Sequence, residues 1–526
     1  MPHFDSFPTE IHNMILGFVP DSSSLANYAT VCKTWQYFFE AKTFKSLILH
    51  QDDINDFSTI VKGHRKKFLK HLWLRVTLPK YLTPVCKVEE SPKVLWEANN
   101  IFTESISNLW DILSGWDTPQ YEAQSLTFEL SVHSPSDWVE YIKEDSSIES
   151  DMPMYKGYLA TESIDPYKNT QDVHSEYKRL QDTMADAALR IPSFLQVSFW
   201  MTIIDNLLGW KPLCFDNSTT RPNNNNPTYG SKDRATPASE QGTDEDEQLQ
   251  LPEVPAITKL LIRRQSFRGI CPTALGSILE SLPNMQEIHV ERWRCAEPSD
   301  EKMWCRGANI TFGMDLPPSL KTLSLYGETS RLFHTWKPND VNATSLTKSL
   351  RQYTKHLENL SVSHLIDAKE FFRPFWPADS DTATASLPRW EHLKTLSLTS
   401  EILNTDTKQD VNELLCAAAR AARKMPNLEL LELWNGRDQH AGVFRYRVID
   451  SIGEVEWLST SIESLDGVVI EIWKETSTIL GRRFQRESAS MLDTEDIGHT
   501  AAVLQHLDGR QRIMHPVSGY RAIQGL

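Results

Sequence analysis

Few residues in this sequence have the types and spacing that chemistry needs. Cys295 and Cys305, with His289 just upstream, come nearest to a soft-metal cluster. Zinc hooks place two ligands within one short turn, whereas residues 296–304 separate these two thiols. No metal is therefore expected. The chain has no Gly-x-Gly-x-x-Gly, no Gly-x-x-x-x-Gly-Lys-[Ser/Thr], no His-Glu-x-x-His and no Gly-x-Ser-x-Gly. The phosphate cradles, zinc helices and nucleophile elbows of the common enzyme classes are thus missing. Acidic residues abound, but no pair stands out for general acid–base work. Neither a catalytic residue nor a cofactor is expected.

What remains is the chemistry of recognition. Trp434, Asn435 and Arg437 follow directly on a leucine-rich strand. An aromatic ring and a guanidinium at a strand end are the groups that most often anchor a protein partner. The competing reading is that Trp434 only packs between repeats. The basic run Lys62-Gly-His-Arg-Lys-Lys-Phe-Leu-Lys70 has phosphate chemistry, but it directly precedes a strand, so a solvated helix face is expected.

The elements that would position these residues are repeats. Met425-Pro-Asn-Leu-Glu-Leu-Leu-Glu-Leu433 places Leu431 and Leu433 two apart, on one face of a strand, after a helix-like run closed by Pro426. The same phrase puts its first strand leucine or isoleucine at 260, 288, 323, 360, 396 and 431, at steps of 28 to 37 residues. Near-constant steps of this size point to a solenoid of strand-plus-helix units, each burying its leucines on its neighbours. The alternates Lys321, Ser324, Ser361, Ser397 and Glu432 then form one outward sheet face, the expected place for a protein partner. Before residue 215 the phrase is sparser, at Leu72, Leu126 and Val197. Val468 to Trp473 reads as a further strand, and Thr494 to Leu507 as a helix that helps close the open end.

Length and composition set the bounds. The chain has 526 residues, 40% hydrophobic and 24% charged, which is enough for several domains with ordinary cores. A net charge of −16 argues against a generic binder of nucleic acid or of anionic membrane. The first twenty residues carry Asp5 and Glu10 and no long apolar run, so no signal peptide is expected, and no membrane span either. Seven scattered cysteines fit free thiols in a reducing compartment. The expected location is the cytoplasm, the nucleus or both.

Residues 5–49 form a unit of their own. Pro8 suits a helix start, with Ile11, Ile15 and Phe18 on one stripe; two further short helices carry Leu25 and Tyr28, then Val31, Trp35, Phe38 and Phe39. So small a unit buries little surface alone and wants a neighbour over its apolar side. Phe7, Pro8, Glu10 and Ile11, then Ile15 and Leu16, Leu25, and Val31-Cys32-Lys33 with Trp35 resemble an F-box. That family's pattern is Leu-Pro-x-Glu-[Ile/Leu], Ile-Leu, a middle Leu, and Val-Cys-[Lys/Arg]-x-Trp. Phe7 replaces the usual Leu, and the common Asp before the middle Leu is absent. The remainder resembles a group of filamentous-fungal F-box proteins whose carboxyl region is a domain of unknown function. The segments that carry this are Leu260 to Gln265, His289 to Trp293, Ile366 to Phe372, Met425 to Gly436, and Val443 to Tyr446.

The resemblance implies that Phe7, Pro8, Ile11, Ile15, Leu16, Leu25, Val31, Cys32 and Trp35 contact a Skp-type adaptor, and through it cullin. The chain would then be a substrate receptor of a ubiquitin ligase, holding an unidentified protein on its repeats. An F-box scaffold outside any ligase, and an enzyme with a site on the repeat face, are the alternatives. The expected class is α/β: a three-helix F-box (1–49), irregular leading repeats with an acidic insertion (50–215), and a disordered linker (216–252). A leucine-rich-repeat-like solenoid (253–474) and a capping segment (475–526) follow.

Overall fold

The leucine phrase forms strands wherever it is seen. The computed structural model describes residues 8–19, 25–79, 92–116, 125–134, 212–215 and most of 250–523. The expected linker and acidic insertion lie almost wholly outside the described residues. Among the described residues one mixed α/β sheet of twelve strands runs in strict chain order. Its strands are β1 (Ser46–His50), β2 (His71–Thr77), β3 (Leu126–His133), β4 (Ile257–Ile262), β5 (Glu287–Trp293) and β6 (Thr322–Glu328). They continue with β7 (Asn359–Ser363), β8 (Thr395–Thr399), β9 (Leu430–Arg437), β10 (His440–Ile449), β11 (Ile452–Ser459) and β12 (Arg483–Met491). All neighbours pair parallel except β9 with β10 and β10 with β11.

A parallel pair needs a crossover between its strands. Helices Pro92–Ser114, Pro272–Glu280, Pro298–Ala308, Thr344–Tyr353, Lys408–Ala422 and Gly467–Ile479 occupy such connections. Their apolar stripes join the strand leucines in one continuous core from Leu49 to Trp473. Register explains the repeat. Leu72, Phe128, Leu260, Ile288, Leu323, Leu360, Leu396 and Leu431 are successive partners across the sheet. None is more than 1% exposed, so each contributes about 1.5–3 kcal/mol of burial that an isolated unit could not realise.

Several expectations change. Phe128, not Leu126, continues the ladder from Leu72. β3 hydrogen-bonds β4 directly, so the leading segment shares one sheet with the later repeats; the strand expected around Val197 lies outside the described residues. Val468 to Trp473 belongs to helix Gly467–Ile479, where Val469 and Trp473 are buried four residues apart. β-branched content suggested a strand there, but the 3.6-residue stripe decides. The expected terminal helix is a 3-10 turn, Thr500–His506. Past Leu433 the chain turns back twice as antiparallel strands, and Asp450 and Ser451 both take positive φ (49° and 65°) at the tight β10–β11 turn. No helix among the described residues is long and apolar enough to cross a membrane.

Candidate functional site

The sheet face opposite the helices is where a partner was expected. His289, Ser324, Ser361, Ser397, Glu432 and Arg445 are register partners there, on successive strands from β5 to β10. They do not meet water: Ser324, Ser361, Ser397 and Glu432 are 1%, 5%, 7% and 0% exposed. Only Lys321, just ahead of its strand, is exposed as expected. The reason is the chain's own carboxyl-terminal segment. Rather than capping an end of the sheet, Ile497 and the residues from 500 to 517 lie across this face.

The segment is anchored at each step. Ile497, Val503, Leu504 and Leu507 pack with Trp434, Val443 and Leu458. The short helix Arg510–Ile513 touches β6 and β7, and Ser324 donates its hydroxyl to the Ile513 carbonyl at 3.3 Å. Val517 reaches Trp73 on β2. Sheet carboxylates capture the segment's backbone. Glu432 accepts the N–H groups of Asp508 and Gly509 at 2.8 and 3.0 Å, and Arg445 Nε at 2.9 Å. Glu291 accepts His289 Nε2 at 2.8 Å and the N–H of His515 at 2.5 Å. A Cβ on Gly509 would stand 2.8 Å from Glu432 Oε2, so that carboxylate would have to shift. Likewise a Cβ on Gly436 would collide with Val503.

This placement settles the anchor residues. Trp434 is fully buried, its ring edge-on to His364 at 5.1 Å and under the segment's aliphatic side chains. Asn435 is 2% exposed and is an internal strut, donating to the Ser400 carbonyl at 3.0 Å and accepting the Gly436 N–H at 2.9 Å. Only Arg437 is part-exposed. The strand does not end before them: β9 runs on through Trp434 and Asn435 to Arg437, and a distant segment covers it. The residues that hold that segment, Glu291, Arg445, Gly509 and His515, carried no periodic signal.

The cysteine–histidine group does not assemble. His289 serves Glu291, whereas Cys295 and Cys305 lie beside Glu301, which takes Arg292 and Arg294 at 2.8 and 2.9 Å. Two guanidiniums hold the Glu301 carboxyl well below its usual range, against the opposing effect of burial. Among the described residues no group of three or more His, Cys, Asp or Glu is arranged to hold a metal. In the basic run, Arg65 pairs with Glu40 at 2.6 Å and fastens the amino-terminal unit to the sheet domain.

In that unit, α1 (Thr9–Gly17), α2 (Leu25–Ala29) and α3 (Lys33–Thr43) close around Leu16 and Phe39, with Tyr28 and Trp35 rings against Phe39. The stripe of Ile11, Ile15 and Phe18 stays open, together with Met14 and Val31; Phe18 is 84% exposed. Pro8 and Cys32 are exposed, and Leu25 and Trp35 half-buried. Leu16 is 1% exposed, so it is core of the unit rather than a contact. Phe7 lies outside the described residues.

Residues 315–515 match a family described as "Family of unknown function (DUF6546)". No curated protein matches the chain. The matched region runs from just before β6 to His515, so it contains β6–β12 and most of the segment lying across them.

Buried histidines give the fold an acid limit. Burial, then Arg294 and Arg437, lowers His364 to about 3; burial, then Arg263, lowers His515 to about 3; burial, then Arg75, lowers His133 to about 4. All three stay neutral in the fold, while the unfolded chain protonates them near the ordinary value of 6.5. Their contribution is complete above pH 6.5 and is lost as pH falls towards these folded values, by up to about 1.4 kcal/mol per pH unit for each histidine. The melting temperature should therefore fall steadily from pH 7 to pH 5. A flat profile would show that the folded imidazoles take up protons.

Proposed function

We propose that the chain is an F-box-type substrate receptor of a Skp–cullin–F-box ubiquitin ligase, with an irregular leucine-rich-repeat-like solenoid as its recognition domain. The observation that carries this reading is the open stripe of Ile11, Met14, Ile15, Phe18 and Val31 on a unit of three short helices. Apolar side chains concentrated on so small a unit mark a surface that another protein covers. The F-box resemblance shares Ile11, Ile15 and Val31 with this stripe and implies a Skp-type adaptor. Strict strand order, parallel pairing and an in-register leucine ladder support the solenoid.

Such a receptor performs no chemistry of its own. It raises the local concentration of a bound protein beside the conjugating enzyme. The substrate surface moves off the sheet face, which the carboxyl-terminal segment fills. The helix side offers Met303, Ile310, Met314 and Tyr353, all exposed, on helices Pro298–Ala308 and Thr344–Tyr353 and the π-helical turn between them. That patch is the proposed substrate contact. Affinity purification of the full chain with the proteasome blocked tests both halves. The expected co-purifying set is adaptor, cullin and a ubiquitin-conjugated protein, the last lost when Met303 and Tyr353 are both replaced by aspartate. Recovery of the chain without adaptor would overturn the reading.

A further inference from the structure

Cys214 and Cys271 meet at a point the proposed function does not use. Leu213 and Ile270 form an isolated parallel bridge. The Leu213 N–H donates to the Gly269 carbonyl and the Cys271 N–H to the Leu213 carbonyl, each at 2.8 Å. One residue further along both chains the cysteines stand abreast, close enough for each thiol to shift the other's titration, and the Cys214 thiol donates to the Pro212 carbonyl at 3.7 Å. Cys271 is also the N-cap of helix Pro272–Glu280. Its sulfur accepts the Ala274 N–H at 3.4 Å and lies 3.0 Å from Thr273 Oγ1.

This surrounds one sulfur with two hydrogen-bonding groups at the positive end of a helix, which is where thiolates are stabilised. The neighbouring Cys214, then the Thr273 hydroxyl and the Ala274 N–H, draw Cys271 below the ordinary thiol range against the effect of burial, while Cys214 is driven up by Cys271 and then by burial. Cys295, Cys305 and Cys416 all move the other way, burial being the first cause. Cys214 is half-buried, so the pair is not sealed inside the core.

We propose that Cys214 and Cys271 are a reversible redox site that closes to a disulfide in the presence of a peroxide. The Cys271 thiolate attacks one peroxide oxygen; an S–O bond forms, the O–O bond breaks, and hydroxide leaves to be protonated to water. Cys214 then loses its proton and attacks the Cys271 sulfur; an S–S bond forms, the S–O bond breaks, and a second water leaves. The two thiols give up two electrons, and hydrogen peroxide is reduced to two waters. A dithiol reductant reverses the reaction by exchange. The final bond, about 2.05 Å long, needs the two neighbouring sulfurs to close on one another. A bridge of one residue pair, outside the twelve-stranded sheet, constrains that approach less than a strand would. The disulfide would tie residue 214 to residue 271 across the chain between them.

The test exposes the full chain to hydrogen peroxide, blocks remaining thiols by alkylation, and maps peptides by mass spectrometry without reductant. The expected result is a Cys214–Cys271 cross-linked peptide that forms before the exposed Cys32 is oxidised and disappears with dithiothreitol. In Cys214→Ser the cross-link is absent, and Cys271 proceeds to sulfinic acid or takes up added glutathione. Cys271→Ser keeps a capping side chain on the helix and should leave the melting temperature unchanged, with Cys214 then inert to peroxide. Alkylation of Cys271 should also reach half its maximal rate below the pH of an ordinary thiol (about 8.5), and above it in Cys214→Ser. Recovery of both cysteines alkylated while Cys32 is oxidised would overturn the proposal. So would an unchanged alkylation profile in the Cys214 variant, because two thiols that merely pack would behave so.

Discussion

Replacing Trp434 by alanine lowers the stability of the whole sheet domain by about 3–5 kcal/mol, and does so before any partner is added. The indole is among the largest fully buried side chains. It is walled by the His364 ring on one side and, on the other, by the aliphatic cluster that includes Val503 and Leu504. Truncation removes a fully buried indole from this packed cluster and leaves a cavity, which is the source of the cost. Chemical denaturation measures it as a lower midpoint with an unchanged slope. A surface anchor would behave in the opposite way, with binding abolished and the midpoint preserved. That outcome would mean the carboxyl-terminal segment does not cover β9 in solution.

Glu432→Ala has the second large effect, roughly 3 kcal/mol, and it is local in its consequence. The carboxylate is fully buried and satisfies Arg445 together with two backbone N–H groups of the covering segment. Removing one partner of a buried charge costs about 3–5 kcal/mol, because the other is stranded. Here the loss sits at the low end, since Arg445 keeps its ion pairs with Glu456 and Asp508. The Asp508 and Gly509 N–H groups keep nothing comparable. Limited proteolysis should therefore cut near residues 508–515 in the variant and spare them in the parent. Glu432→Gln retains an acceptor for those N–H groups and should show less cleavage. Equal resistance in all three proteins would show that the segment is held by its aliphatic residues alone.

Much of the fold was legible because its determinants are local. Leu260, Ile288, Leu323, Leu360, Leu396 and Leu431 repeat at a near-constant step, and the sheet brings them into one register row. The helix Gly467–Ile479 was misread because Val468, Val469 and Ile470 favour strands, whereas the burial of Val469, Trp473 and Thr476 obeys a helical period. The fate of the polar face could not be seen. Ser324, Ser361 and Ser397 alternate with leucine as solvent-facing residues do, and their cover comes from about residue 500 onward, far along the chain. Gly436 and Gly509 were the available hints, since both stand where a close approach crowds a Cβ. In the amino-terminal unit the stripe of Ile11, Ile15 and Phe18 was visible from spacing, but the assignment of Leu16 to the core needed coordinates.

The central claim is that the open face of α1–α3 docks an adaptor, and calorimetric titration of the full chain with a purified Skp-type adaptor tests it most directly. Ile15 and Phe18 are 41% and 84% exposed, so Ile15→Asp with Phe18→Asp should leave the melting temperature unchanged. The account predicts a one-to-one complex with the parent chain. It also predicts binding weaker by about a hundredfold or more in the double variant, at no less than about 1.4 kcal/mol for each apolar side chain replaced. No complex with the parent chain, or equal affinity for the parent and the double variant, would contradict it.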